Sequence, residues 1–161
     1  ALAFKNRFER ITFGDPLLTT QQDHVEIVNA ICQEFSNLPA DCALILMGHG
    51  TSHYANDVYA ALDYRFKDLG FSNIHLATVE GYPTLENVTR MVKEQEAKKV
   101  ILAPFMIVAG DHARNDMSGD DEDSWKNQFR AAGYDVECRM KGLGEYPAIQ
   151  DMLIRHVTEV C

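Results

Sequence analysis

The sequence predicts an α/β fold in which helices cover both faces of a mainly parallel sheet. Segments typical of strands alternate with segments typical of helices, and the helical segments are roughly 10 to 15 residues long. The segment 42–47, CALILM, is almost continuously apolar, as expected for a strand buried on both faces. This alternation produces βαβ units with right-handed crossovers. The 161 residues are about the size of one domain with its own core, and no linker-like stretch divides them.

The predicted strands are 10–13, 42–47, 73–79, 99–105 and 135–140. The first is short, because the turn Gly14-Asp15-Pro16 stops it. The three that follow are strongly apolar, and the last is weaker. We therefore expect three buried strands to form the centre of the sheet.

The predicted helices are 21–35, 56–69, 84–96, 121–132 and 147–160. Their apolar residues recur at helical spacing, for example Leu85, Val88 and Val92. Gly70 and Gly133 follow two of the helices in the position where a C-terminal cap glycine is expected. The remaining long connection, 106–120, has little periodicity, and loops of about that length in compact domains are usually functional or disordered.

Composition and charge narrow the function classes. The net charge of −9, from 24 acidic and 15 basic residues, argues against a nucleic-acid partner. No apolar run approaches the roughly 20 residues of a membrane span, and we expect no signal peptide and no membrane association. The four cysteines, Cys32, Cys42, Cys138 and Cys161, form no CxxC pair, so buried free thiols and a cytoplasmic location are expected.

Three candidate site residues follow three predicted strands. His49 comes after strand 42–47, Glu80 after strand 73–79 and His112 a few residues after strand 99–105. The carboxyl ends of parallel strands meet at one rim of the sheet, where ligands collect. Two imidazoles and one carboxylate suit a borderline divalent metal such as cobalt, nickel, iron or zinc. A metal enzyme is therefore the leading hypothesis, although His49 could also belong to a plain turn and Glu80 to a solvated loop.

Other polar residues have simpler explanations. His53 is either a ligand or supporting group, or a cap at the start of the next helix. Asp111 or Asp116 could orient an imidazole. The acidic run 120–123 is expected to complement the N-terminus of the following helix. His24, His75 and His156 fall inside predicted helices or a strand and are expected to be structural. A nucleotide site is disfavoured, because the glycine turn matches neither GxGxxG nor GxxxxGK[ST].

The segments MGHGTSHYAN, EGYP, PFMIVAGDHARNDMSGDDEDSWK and GLGEYPAI resemble those of the anaerobic sirohydrochlorin cobaltochelatases of cobalamin biosynthesis. The resemblance implies a chelatase-like three-layer α/β sandwich, Rossmann-like or flavodoxin-like in each half. It implies that His49, Glu80 and His112 are both metal ligands and catalytic residues. It also implies Co²⁺ as substrate metal, with Fe²⁺ or Ni²⁺ as substitutes, and sirohydrochlorin or a related tetrapyrrole as the partner molecule.

The same resemblance implies how the chain is organised. Members of the family have two similar α/β halves with the active site between them, and this chain resembles the C-terminal half. Residues 1–40 would supply a strand and helix leading in from the other half, and residues 41–161 the C-terminal domain with the metal site. An N-terminal half or a homo-oligomer is then an expected partner.

The substrate implied is a polycarboxylate, which a net charge of −9 would repel. Arg114, Arg90 and, less strongly, Lys93 are candidates to offset that repulsion, and His53 completes the set of expected tetrapyrrole contacts. The alternatives are a ferrochelatase-type enzyme, a non-catalytic metal or haem carrier, and a metal-dependent hydrolase in which the same ligands activate water.

Overall fold

The computed structural model describes residues 7–161, which contain a four-stranded sheet with all strands parallel, in the order β2-β1-β3-β4. The strands are β1 Cys42–Gly48, β2 Ile74–Thr78, β3 Lys99–Pro104 and β4 Asp135–Cys138. Leu44 of β1 lies in register with Ile74 of β2 on one side and with Ile101 of β3 on the other. The most apolar strand, β1, is therefore central, as its composition predicts.

In the described part of the chain, five α-helices surround the sheet: α1 Gln21–Glu34, α2 Asp57–Asp68, α3 Leu85–Glu94, α4 Trp125–Ala131 and α5 Pro147–Thr158. Short helical segments occur at Tyr54–Asn56, Ala113–Met117 and Leu143–Glu145. Gly70 and Gly133 have φ of 87° and 92° just past α2 and α4, so the expected glycine caps are confirmed. No helix in residues 7–161 has both the length and the apolar character that a membrane crossing requires.

The sheet divides the protein into three layers, because alternate side chains of β1 point to opposite faces. Leu44 and Leu46 pack in a cluster with residues of α1, α2 and α5, whereas Ile45 and Met47 pack with residues of α3 and α4. Every residue of β1 is buried. The predicted three-layer α/β architecture is confirmed.

Three sequence predictions about elements were wrong. Residues 10–13 form no strand: they are exposed and no strand of the described sheet pairs with them. Helix α4 begins at Trp125, not at Asp121, because the Ser124 hydroxyl accepts a hydrogen bond from Asn127 N and caps the helix there. Strand β4 ends at Cys138, after which Arg139 N donates to Leu102 O and Met140 is exposed.

The acidic run is thus displaced from the helix that it was expected to cap. Residues 120–123 lie in the turns before α4, and the Asp120 carboxylate pairs with Lys126 at 3.1 Å. The connection 106–120 also differs from a plain loop, since it contains a π-helical turn over Ala113–Met117.

The outer edge of β2 is covered by the protein's own groups. The N–H groups that point away from β1 belong to Ile74, Leu76 and Thr78, and they donate respectively to Phe71 O, the Asp63 carboxylate and Pro83 O. Lys67, on α2, donates to Ile74 O at 2.8 Å and to Asp63 at 2.5 Å. The edge donors of β2 are therefore all occupied.

Helices α1 and α5 are joined by a buried ionic network. The Asp23 carboxylate, fully buried, accepts hydrogen bonds from His156 Nε2 at 2.9 Å and from Arg155 Nη2 at 3.1 Å. His156 Nδ1 lies 2.8 Å from the carbonyl oxygen of Asp15. Because both ring nitrogens of His156 face oxygen acceptors, the ring is a doubly protonated imidazolium.

The other histidines predicted to be structural, His24 and His75, are buried and bonded to Leu18 O and Gln95 respectively. All four cysteines are free thiols, as predicted. Cys32 and Cys42 are buried, but Cys138 is half-buried and Cys161 exposed. Burial raises the pKa of the Cys32 thiol to about 11.

Candidate metal site

His49 and Glu80 lie side by side because the pairing of β1 and β2 continues past the ends of the strands. Val79 N donates to Gly48 O at 3.0 Å, and Glu80 N donates to His49 O at 2.8 Å. The Glu80 carboxylate lies 3.9 Å from His49 Nδ1. The two side chains are 48% and 59% exposed, so both are accessible from solvent.

His112 reaches the same rim from the connection after β3. Its ring meets that of His49 nearly at right angles, with centroids 4.7 Å apart. His112 Nδ1 lies 2.5 Å from Asp116 Oδ2, one turn further along the π-helical segment. Because the carboxylate can only accept, Nδ1 carries the proton and the lone pair of Nε2 stays available to a metal.

The connection that carries His112 is itself anchored. Leu143 N donates to Met106 O and Gly144 N donates to Ile107 O, at 2.8 and 2.9 Å. A Cβ atom at Gly142 would lie 2.6 Å from Ile107 O, so the contact requires glycine at that position. The segment 142–144, which precedes α5, thereby fixes the start of the connection.

One ligand atom from each of His49, Glu80 and His112 lies within 4.8 Å of the others. Atoms that bind one ion at about 2.1 Å are at most about 4.2 Å apart, so small rotations of these accessible side chains complete a coordination sphere. A metal held by three protein ligands would have further coordination positions open, as in catalytic metal sites. The three residues singled out from the sequence therefore converge.

Sequence reasoning missed one residue of this rim, Asn56. Its side-chain oxygen accepts from Thr51 N at 3.1 Å, in the turn after His49, and its amide nitrogen donates to Tyr82 O at 2.6 Å, in the turn after Glu80. Gly50, at φ 82°, touches the second turn, since a Cβ there would lie 2.6 Å from Gly81 N. The sequence signal that could have indicated this role is an asparagine that closely follows the glycine-containing turn after β1.

The remaining predicted site residues lie outside the cluster. His53 is exposed; its Nδ1 accepts from Ala55 N, and its ring packs on Tyr54 at 4.0 Å, so it caps a short helix. Arg114 is exposed two residues beyond His112. Arg90 is exposed on α3 in a shallow depression that Lys93 also lines. Within residues 7–161 neither arginine pairs with a carboxylate, which leaves both guanidinium groups open to an anionic ligand.

Exposed apolar side chains belong to the same segments as the three converging residues. Tyr54 and Tyr82 are 82% and 59% exposed, and Ile107 and Val108 on the connection are 44% and 69% exposed.

Residues 2–161 match the model of the family described as Cobalt chelatase (CbiK). This chain belongs to the cobalt chelatase family. It is 40% identical over 150 residues to the sirohydrochlorin cobaltochelatase of Salmonella typhimurium, covering 93% of this chain and 56% of that protein. It is 33% identical over 155 residues to the sirohydrochlorin cobaltochelatase CbiKC of Nitratidesulfovibrio vulgaris, covering 94% of this chain and 54% of that one.

A solved structure shows the same fold. The multi-domain protein DR2241 of Deinococcus radiodurans, described as structurally similar to chelatases, superposes with a TM-score of 0.56 at 18% identity, over 83% of this chain and 29% of that one. The family resemblance and the chelatase-like fold expected from the sequence are thus confirmed. This chain spans about half the length of the curated relatives that it matches.

Proposed function

We propose that this chain carries the metal-handling part of a chelatase that inserts Co²⁺ into sirohydrochlorin. The observation that carries the proposal is the convergence of His49, Glu80 and His112 at an open rim of the sheet, in a chain of the cobalt chelatase family. The names of the two relatives support the same metal and the same tetrapyrrole. We also propose that this reaction takes place in the cytoplasm, in the anaerobic biosynthesis of cobalamin.

The donor set suits a metal that must be bound and then released. Imidazole and carboxylate hold Co²⁺, while the cluster contains no thiolate, which would retain a borderline or soft metal more tightly. Half-exposed ligand side chains allow the ion to be exchanged for the pyrrole nitrogens of an approaching macrocycle. Fe²⁺ and Ni²⁺ fit the same donors, so they are the substitute metals that we propose.

Metal insertion releases two protons from the macrocycle, one from each of two pyrrole N–H groups, as Co²⁺ forms its bonds to nitrogen. An imidazole or carboxylate that has given up the metal is a base at the place where a proton leaves. His49, Glu80 and His112 would therefore serve in turn as ligands and as proton acceptors. Asp116 would stabilise the charge that His112 gains, because it already accepts the proton of Nδ1.

The surroundings of the rim suit the rest of the ligand. The exposed Tyr82, Ile107 and Val108 offer apolar surface to the face of the macrocycle. Arg114 and Arg90 are the proposed contacts for its carboxylates, and His53 is proposed as an additional polar contact. These cations would offset locally the repulsion from a net charge of −9.

The proposal is tested by the visible absorption change of sirohydrochlorin on Co²⁺ insertion, measured under anaerobic conditions with this chain and an added N-terminal half from a relative. Catalysed insertion that His112→Ala abolishes is the expected result. Tetrapyrrole binding without insertion would instead identify a non-catalytic carrier. Hydrolytic activity without tetrapyrrole binding would identify a metal-dependent hydrolase.

A further inference from the structure

Asn56 is a buried polar residue whose side chain does not serve its own helix. It stands at the N-cap position of α2, where an asparagine usually accepts a hydrogen bond from its own first turn, yet it makes no such bond. Its amide is instead turned toward the rim of the sheet, between the turn that follows His49 and the turn that follows Glu80. Asn56 therefore makes two hydrogen bonds outside α2 instead of a capping hydrogen bond to its own helix.

The two bonds of this amide act on different strand ends. The oxygen receives Thr51 N, and the nitrogen donates to Tyr82 O at 2.6 Å, 26 residues along the chain. Tyr59 supports the first turn as well, because Gly50 N donates to its hydroxyl at 3.4 Å and Gly48 packs against its ring. The start of α2 is therefore hydrogen-bonded to both turns, and the side-chain amide of Asn56 connects the two.

We propose that Asn56 is a positioning residue that holds together the turns after His49 and Glu80 and so restrains the two side chains, a role that rests on the proposed metal site. Both proposed ligands lie beside glycine-containing turns, and their side chains are exposed to solvent. A buried amide that bridges these turns reduces the conformations over which the two ligands would otherwise spread. Preorganisation of this kind raises metal affinity, and supporting residues around metal ligands typically change it by about 10- to 100-fold.

A matched control lies at the opposite end of the sheet. The side-chain nitrogen of Asn73 donates to Cys42 O at 2.9 Å, and this hydrogen bond also links the β1 and β2 regions. The substitutions Asn56→Ala and Asn73→Ala each remove an interstrand amide, but only the first does so beside the candidate ligands. Both substitutions are expected to lower the stability of the fold, whereas only Asn56→Ala is expected to change the positions of the proposed metal ligands.

The experiment is a calorimetric titration of the folded chain with Co²⁺, together with thermal unfolding and the d–d absorption of the bound ion. Asn56→Ala is expected to weaken Co²⁺ binding by about 10-fold or more and to alter the absorption bands. Asn73→Ala is expected to lower the melting temperature with affinity and bands unchanged. Wild-type affinity and bands in folded Asn56→Ala would overturn the proposal, and so would an equal loss of affinity in the two variants.

A second measurement separates positioning from folding. Asn56→Asp keeps the size of the side chain and the acceptor for Thr51 N but cannot donate to Tyr82 O, so it serves where the alanine variant does not fold. It is expected to bind Co²⁺ more weakly despite its added negative charge. Affinity equal to that of the wild-type chain in folded Asn56→Asp would overturn the proposal.

The outcome also distinguishes this inference from the proposed function. Wild-type protein that binds no Co²⁺, or His112→Ala that keeps full affinity, would refute the metal site and Asn56's role with it. A wild-type site that His112→Ala destroys, but that neither Asn56 variant changes, would refute the role of Asn56 alone.

Discussion

Nδ1 of His49 lies 2.9 Å from Gly50 O, and the ring of this histidine meets that of His112 at an angle of 86°. A carbonyl oxygen accepts, so Nδ1 of His49 carries a proton, as Nδ1 of His112 does toward Asp116. Both rings are therefore held in the tautomer whose Nε2 lone pair is free. Two imidazoles in the same tautomer, with the Glu80 carboxylate beside them, predict a single metal site that depends on His49, Glu80 and His112.

We expect His112→Ala to abolish high-affinity Co²⁺ binding, because two of the three protein ligands cannot replace the third. Isothermal titration should show one main site in the wild-type chain and none of comparable affinity in the variant. His53→Ala is the matched control, since His53 is a nearby exposed histidine that caps a short helix outside the cluster. Unchanged affinity in His112→Ala would rule out the assignment.

We expect Asp116→Ala to weaken Co²⁺ binding by about 10-fold, since the carboxylate orients His112 and increases the basicity of its ring. Asp116→Asn should lose less, because the amide oxygen can still accept the Nδ1 proton. Asp111→Asn removes the same charge from an exposed residue next to His112 and should leave affinity nearly unchanged. Equal effects of the Asp111 and Asp116 substitutions would show that only net charge matters.

We expect this chain alone to bind Co²⁺ but to insert it into sirohydrochlorin slowly. The side chains of the three proposed ligands are 35% to 59% exposed, and a rim with one wall leaves much of a large flat ligand in water, whereas small-molecule pockets bury most of their ligand. An N-terminal half from a relative, fused or in trans, should raise the rate. Mass in solution must be measured in parallel, because a second copy could supply the wall. Full turnover by a strictly monomeric chain contradicts this prediction.

We expect the network of Asp23 and His156 to stabilise the fold most between about pH 4 and pH 6.5. The hydrogen bond to Asp15 O, followed by that to Asp23, raises the pKa of His156, so its contribution is complete below the ordinary histidine range and is lost as pH rises through the raised pKa. Burial opposes ionisation of Asp23, but hydrogen bonds from His156 and Thr20 outweigh it and lower its pKa. The carboxylate's contribution is therefore lost only as pH falls through that lowered value.

Urea unfolding of His156→Gln measures this dependence. The difference in the free energy of unfolding from wild type should be larger at pH 5.5 than at pH 9. Ile149→Val, a change at a fully buried apolar position, should cost about 1 kcal/mol at both values and serves as the control. A difference for His156→Gln that does not vary with pH would show that the network is not ionised as proposed.

The sequence predicted those features that depend on burial pattern and strand order. The apolar run of β1 indicated a central strand, and parallel strands necessarily bring the residues after their carboxyl ends together, which is why His49, Glu80 and His112 converge. Asn56 was missed because its function depends on two turns far apart in the chain, which no local spacing reveals.

The wrong predictions have local causes. Residues 10–13 have a strand-like pattern, but a strand also requires a neighbour to bond to, and the described sheet offers none there. The start of α4 was placed too early because acidic residues are common in first turns. The Ser124 hydroxyl, rather than the charge before it, determines where the helix begins.

The covered edge of β2 restricts how this protein meets any partner. Since Ile74, Leu76 and Thr78 already donate their outward N–H groups within the chain, a foreign strand finds no row of free donors to pair with. Growth of the sheet past β2, whether into a larger assembly or into an aggregate, is therefore blocked by Asp63, Phe71 and Pro83. A companion domain or a second copy therefore does not extend the sheet past β2.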